Sequence, residues 1–496
     1  MGAYIAAATY ALLAQGMAYL LILKVLPGST AFRAIALWAA SAICLFFVQS
    51  PLAVLLIGLV IVAVLAPTER SSRVAFYMIA VAALPTYLEH VIPFPGINYL
   101  LTLTQIKVAT LVLLLPIIFY PVPKNRVIRG FTVSDFTIVL YVAYAATIVA
   151  KNTGVTVGLR YFTDQSLILI LPFVIISRAI LDRKDLDRVV RAFIAVSLIL
   201  ACVALVSTAK QWDFYKLNAP LDIRLSDFRS GFLRIEATAN THSLGFHLVA
   251  ALLLIEYLKV RFPFPTWYLM LCRGVLLAGL FFTDSRGSML ALFCGLAVYM
   301  TLMIKNSSLR AMVFATGLLA GLAFAIWLVT GDFSDLGAKD SISYRQQLLV
   351  TSIEHILEYP FFGNLDYARS GRFDHLVQGQ GIIDITNMYL LVLVQFGAIG
   401  AVLLFATFVL PMFSLLRNSP EVSLDTNSEA YSQAADSSRL RAVVLGAGAG
   451  WLVLIMTTSH VGLTMHLGIV LAALARIATT SIKEANVVGR ETLVAD

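Results

Sequence analysis

Charge is what this sequence has least of. Asp, Glu, Lys and Arg make up 13% of its 496 residues, against roughly 25% in a soluble domain. Apolar residues make up 59%, and mean hydropathy is +0.86. That balance excludes an ordinary water-soluble enzyme and implies a polytopic membrane protein. Cysteine is scarce too. Cys44, Cys202, Cys272 and Cys294 lie in or beside apolar runs, with neither metal-ligand spacing nor a disulfide framework. Their expected role is packing. There is no P-loop and no GxGxxG turn, and no His/Asp/Glu cluster has metal spacing. No cofactor is therefore expected, and chemistry on a soluble nucleotide is disfavoured. The opening "MGAYIAAATYALLAQGMAYLLIL" lacks a basic n-region, so it reads as a first span and not a cleaved signal. Ala6 breaks the myristoylation pattern.

What is present is a series of apolar runs. They fall near 3–23, 34–49, 52–66, 74–90, 105–121, 133–150, 162–179, 189–208, 244–260, 267–283, 287–304, 311–330, 387–411, 441–458 and 462–479. Several are short, so an all-α bundle of about 12–15 transmembrane helices is expected. The net charge of +8 is better explained by basic cytoplasmic loops than by a nucleic-acid partner. Lys24/Arg33, Arg70/Arg73, Lys124/Arg126/Arg129, Arg183/Lys184/Arg188/Arg191, Lys259/Arg261, Lys305/Arg310 and Arg439/Arg441 all fall on one side of the count. The tail, with Lys483 and Arg490, joins them. The alternate short loops 50–51, 88–104 and 459–466 hold no Lys or Arg. The positive-inside rule then places the C-terminus inside and the N-terminus outside.

Two longer segments, 209–243 and 331–386, face outward under this count. The expected map is an N-terminal helical part over 1–208 and an outer segment over 209–243. Helices follow over 244–330, then a large outer loop over 331–386. Further helices cover 387–479, with a polar inner linker over 412–440, before an inner tail over 480–496. The outer segments carry Arg224, Arg229, Arg234, Arg345, Arg369 and Arg372, and Arg286 sits in the tight turn "FFTDSRGSML". Orientation does not require arginine there. The plain reading is a solvated loop of mixed charge; the functional one is anion binding.

Arg345 opens "KDSISYRQQLLVTSIEHILEYP", whose Leu348, Leu349, Ile353, Ile356 and Leu357 recur at helical spacing. An amphipathic helix is expected, with Arg345 sharing the apolar face and directed inward. Its partner is either a phosphate or an Asp/Glu. The other outer segment leads through Asn240, Thr241, His242 and Ser243 into a span, with His247 one turn further on. Ionisable groups at such a boundary are functional candidates, although a His at a helix mouth commonly serves only as a structural hydrogen-bonding group. Asn387 stands at the mouth of the next span, ahead of Gly397 and Gly400. It is expected to cap that helix, and the glycines to allow close helix packing.

Four stretches together resemble the O-antigen ligase and O-antigen polymerase (Wzy-type) superfamily of bacterial envelope glycosyltransferases. They are "TDSRGSMLAL", "SGFLRIEATANTHSLGFHL", "YRQQLLVTSIEHILEYPFFGNLDY" and "DITNMYLLVLVQFGAIG". The last is similar to the ligase pattern His-[Asn/Ser/Gln]-x9-Gly-x2-Gly. Asn387, Gly397 and Gly400 match, while Thr386 stands where His is expected. The motifs cover roughly residues 200 to 400; beyond them the likeness is one of topology.

The resemblance implies a GT-C-like bundle in the bacterial inner membrane. It also implies metal-independent transfer of a glycan from undecaprenyl pyrophosphate, at the periplasmic face. Arg286 and Arg345 would then contact the pyrophosphate. Arg234, Arg229, His242 and Asn387 would help to bind donor or acceptor. Thr386 does not titrate near neutral pH, so a base would have to come from Asp384, Asp374 or His375. That departure favours a polymerase of exopolysaccharide, capsule or O-antigen repeat units over a ligase acting on lipid A–core. Partners would be the lipid-linked oligosaccharide, membrane lipid, and flippase and chain-length or export proteins. A transporter of anionic glycans is the rival from another class, but it calls for charges or broken helices near the midplane. A non-catalytic scaffold is a third reading.

Overall fold

A computed structural model of the chain describes residues 1–94, 97–121, 130–220, 228–229, 232–304, 306–313, 315–316, 319, 339–377, 381, 383–419, 429–458 and 462–495. Its elements are α1 (Gly2–Val25), α2 (Gly28–Phe47), α3 (Pro51–Leu65), α4 (Arg70–Val81), β1 (Glu89–Phe94), β2 (Ile97–Thr104) and α5 (Gln105–Phe119). Then come α6 (Val133–Thr153), α7 (Val155–Ala179), α8 (Arg183–Lys210), β3 (Phe228–Arg229), β4 (Phe232–Leu233) and α9 (Thr241–Arg261). The chain continues through α10 (Thr266–Phe282), α11 (Arg286–Met303), α12 (Lys339–Glu358), α13 (Met388–Arg417), α14 (Glu429–Leu454) and α15 (Thr464–Ala495). Among the described residues, nine helices are long and apolar enough to cross a membrane, and α3, α5 and α10 are shorter apolar helices. The chain is thus a polytopic helical membrane protein.

The bundle forms around α8. Every residue from Val189 to Ala204 except Arg191 is buried, so this helix is apolar on all sides and packs against α1, α4, α9 and α10. On α1, Ala7, Ala11, Ala14 and Ala18 are fully buried. Small residues at this spacing let helices approach where lipid supplies no hydrophobic drive. α11 and α14 pack backbone to backbone through glycines. A side chain on Gly295 would collide with the Gly446 carbonyl, and one on Gly450 with the Ala291 carbonyl. The outward faces are apolar instead: Leu20, Val64, Phe293 and Val402 are all exposed, as lipid contact requires.

The two ends of the bundle differ in chemistry. One end gathers ion pairs: Arg178 and Arg476 on Asp135, Arg261 on Asp187, Arg183 on Asp436, and Arg188 on Glu69. The opposite end carries the turns where α8, α10 and α14 finish and α9, α11, α13 and α15 begin.

Three expectations need correction. The apolar run 74–90 does not form one span. α4 stops at Val81, and the chain then turns into the β1–β2 antiparallel hairpin. Pro85 and Pro93 account for this, since neither can sit inside a helix without losing a backbone bond. Gly397 is not a packing position on a continuous helix. It breaks α13, with φ 63° and ψ −169°, a conformation open to glycine. The Tyr359–Gly363 turn docks in the break. Ala398 N–H donates to the Pro360 carbonyl (2.8 Å), Ile399 N–H to Phe361 (3.3 Å), and Asn364 N–H to Val394 (2.7 Å). The Tyr144 hydroxyl donates to the freed Phe396 carbonyl at 2.9 Å, so a side chain from α6 replaces a backbone bond lost at the break. Finally, Arg345 is exposed while Leu348 is buried. The packed face of α12 runs through Leu348, Thr351, Ser352 and His355. Arg345 lies off that face, one position after the half-buried Tyr344 and three before the buried Leu348.

Candidate functional site

The first part of the site forms where α9 and α11 start side by side. α10 ends at Phe282, and Asp284 takes a positive φ of 44°. This brings Ser285 into place as N-cap, its Oγ accepting from Ser288 N–H at 3.3 Å. The same Oγ lies 3.0 Å from His242 Nδ1 and 2.8 Å from Ser288 Oγ. Asn240 caps α9 through His242 N–H at 2.9 Å. Arg234 Nη2 reaches His242 Nε2 at 3.5 Å, and its segment is tied down by Ile235 N–H donating to the Phe282 carbonyl (3.4 Å). Arg234, His242 and Ser285 therefore form one hydrogen-bonded row, next to the exposed Arg286 at the first position of α11.

The second part lies where α12 packs on the start of α13. Leu348, Phe373, Leu376, Ile385 and Val394 form a small apolar core of their own. Asn387 caps α13, accepting from Tyr389 and Leu390 N–H at 3.0 and 3.2 Å, as its position in the sequence predicts. Asp384 is half-buried, and its carbonyl accepts from the Tyr344 hydroxyl at 2.9 Å. Arg345 follows Tyr344 on α12. Asp374 and His375 sit in an exposed turn, with His375 Nε2 3.3 Å from Thr351 Oγ1. Tyr344 and Thr351 are seven residues apart, about 10 Å along a helix. Asp384 and His375 are thus tethered to different turns of α12. Arg229 belongs to β3, and its side chain is outside the described residues.

The two parts connect through the turn between α14 and α15. A side chain on Gly287 would collide with Thr457 Oγ1. Met388 N–H donates to the Ile455 carbonyl at 2.9 Å, and Leu463 N–H to Ser243 Oγ at 3.0 Å. Gly287, next to Arg286, and Met388, at the start of α13, therefore both pack against the turn that ends α14.

Several polar groups escaped the sequence reading. Asp213 is buried, and its Oδ2 accepts from Glu236 N–H at 2.9 Å. Burial pushes its carboxyl up to about 7, and neighbouring Glu236 adds to the rise; the Glu236 N–H and Lys216 pull the other way. Lys216 pairs with Glu236 at 3.1 Å. This cluster fixes the base of the segment that carries Arg234. Further inside the bundle, buried Lys107 pairs with Asp164, and the Tyr77 hydroxyl lies 3.3 Å from Thr110 Oγ1. The His466 ring packs edge-on to Tyr77, 5.4 Å away. Thr110 opens one π-helical turn, Thr110–Leu114, and Ser166–Ile170 forms a second inside α7. Such turns mark functional or strained positions. Their partners lie 57 and 33 residues apart, so local sequence gives no signal for them. His247 has a structural role: it stacks on Phe193 at 5.5 Å, with Nδ1 2.9 Å from the Ser243 carbonyl. Buried His355 packs between Tyr359 and Phe373. Burial, followed by Arg372, lowers its pKa.

The fold defines a polytopic helical membrane protein, with the polar row at the end opposite the Asp135 and Asp187 ion pairs. A family model described as O-Antigen ligase matches residues 274–405. The match spans α11, α12 and the break in α13, just over a quarter of the chain, and over it the chain is similar to that family. No curated protein matches the chain.

Proposed function

We propose that this protein is a glycosyltransferase that polymerises oligosaccharide repeat units carried on undecaprenyl pyrophosphate, at the outer face of a bacterial inner membrane. The observation that carries this reading is the Arg234–His242–Ser285 row beside Arg286, at the end of the bundle opposite the Asp135 and Asp187 ion pairs. Basic loops face the cytoplasm under the positive-inside rule, which puts this row outside. Arg286, Arg234 and Arg345 would hold the pyrophosphate; a guanidinium fork suits its oxygens. The acceptor hydroxyl attacks the anomeric carbon and the bond from that carbon to the pyrophosphate oxygen breaks. Undecaprenyl pyrophosphate leaves with the bonding electron pair, its charge met by the arginines. The hydroxyl proton passes to a carboxylate. Asp384 suits this role better than Asp374 or His375, because it is half-buried and its backbone is held by Tyr344, the neighbour of Arg345 on α12. Asn387 orders the helix mouth beside it, with its side-chain carbonyl already engaged in capping. On this reading, 209–243 and 331–386 lie outside, and the 412–440 linker and the tail lie inside.

A ligase reading is favoured by the description of the matching family. Thr386 at the expected His position weighs against it. Purified protein in vesicles, supplied with a lipid-linked repeat unit alone, distinguishes the two. Release of undecaprenyl pyrophosphate with glycans longer by whole repeats supports polymerase. Release only when lipid A–core is added supports ligase, and no release under either condition counts against both.

A further inference from the structure

At the ion-paired end, a cleft of about 540 Å³ opens between α6, α13 and α15. Arg417, Lys483 and Arg476 line it together with apolar Val133, Leu410 and Phe413, and no carboxylate lines it among the described residues. Arg476 is 7% exposed. Its guanidinium contacts both Asp135 oxygens, at 2.8 and 2.7 Å, and Arg178 approaches the same carboxylate at 2.9 Å. One buried carboxylate thus serves two arginines, and the cluster keeps a net positive charge. Among the described residues, neither Arg417 nor Lys483 has an ion-pair partner. A concentration of unmatched positive charge beside a partly buried arginine favours an anion. By contrast, a second cleft at this end, near Arg33, Lys184 and Arg188, is lined also by Glu69 and Asp187. Those carboxylates already pair with Arg188 and Arg261.

The walls specify the kind of anion. Val133 and Phe413 are exposed, and the apolar surface continues along α6 through Phe136 and Leu140. That surface faces the bilayer. A small soluble anion would use the cations and leave the apolar wall uncovered. We propose that the cleft binds an anionic glycerophospholipid, with its phosphate against Arg417, Lys483 and Arg476 and an acyl chain along Val133, Phe136 and Leu140. The lipid would brace α13 against α6 and α15, on the same helix whose far end carries Asn387.

Native mass spectrometry of the full chain in detergent tests this, by titration with phosphatidylglycerol or with phosphatidylcholine. Arg417→Gln/Lys483→Gln should retain phosphatidylglycerol about 30-fold more weakly, taking each basic side chain near a membrane surface at its usual strength. Arg33→Gln/Lys184→Gln in the second cleft should retain it as the wild type does. Excess inorganic phosphate should not displace the lipid. If the double variant fails to fold, Arg417→Gln alone should show about a fivefold loss. Equal retention in wild type and cleft variants would overturn the proposal. So would equal retention of the two lipids by the wild type, or displacement by inorganic phosphate, which would make the cleft a soluble-anion site.

Discussion

At the residue scale, the site depends on side chains that hold one another. Ser285 both caps α11 and faces His242, so Ser285→Ala should lose about 1 kcal/mol from the cap alone and also release the His242 ring. Arg234→Lys and Arg286→Lys keep the charge but lose the planar fork. Each should lower turnover of the lipid-linked substrate by about a hundredfold, the scale of losing a preorganised donor. Wild-type turnover in both would remove pyrophosphate binding from these residues. Asp213 gives a pH signature. Its folded-state pKa of about 7 lies above the ordinary 3.8, so the folded chain holds that proton more tightly than the unfolded one. The associated stability is complete below the ordinary value and is lost as pH rises through about 7. The apparent melting temperature in detergent should therefore fall between about pH 5 and about pH 8, and Asp213→Asn should flatten that part of the profile. An unchanged slope in the variant would place the titrating group elsewhere.

At the scale of elements, the broken α13 is the least ordinary feature. The α13 break exists because the 360–363 turn supplies carbonyls to the amides of Ala398 and Ile399. Gly397→Ala should destabilise by about 1–2 kcal/mol from the left-handed backbone alone, with a further cost from collision with Phe361. Gly16, inside α1 with open space around it, is the matched control: Gly16→Ala should keep or raise the melting temperature. Equal effects at both positions would mean that the break is not structural. This element also shows what the sequence could convey. Spans such as α8 and α9 are legible because 20 or so apolar residues in a row have few other uses. The Asn387 cap and the Ser-Arg-Gly turn are legible because capping and tight turns depend on adjacent residues. The break at Gly397 is not, because what opens it is a turn more than 30 residues earlier in the chain. The inward direction expected for Arg345 failed for a related reason. Apolar spacing identified α12 as amphipathic, but the face it buries was set by Phe373 and Leu376, contributed from beyond its end. Lys107 with Asp164, and Arg234 with His242 and Ser285, come together only when separate helices pack.

At the scale of the molecule, the proposed orientation gives the bundle an inner end with the Asp135 and Asp187 ion pairs and an outer end with the polar row. Arg286→Cys should react with an impermeant thiol reagent in intact spheroplasts, and Lys483→Cys only after permeabilisation. Cys44, Cys202 and Cys272 are buried and the half-buried Cys294 lies inside α11, so Cys294→Ser is the background for both variants; the reverse pattern would invert the topology. The central claim, that this end extends lipid-linked glycans, is tested most directly by the lipid-linked glycans of cells lacking the gene. These are compared with the same cells carrying the wild-type protein, Arg286→Lys or Arg345→Lys. The wild type should give a ladder of whole repeats, and the deletion and both variants single repeat units. A ladder of normal length in the deletion strain would contradict the claim.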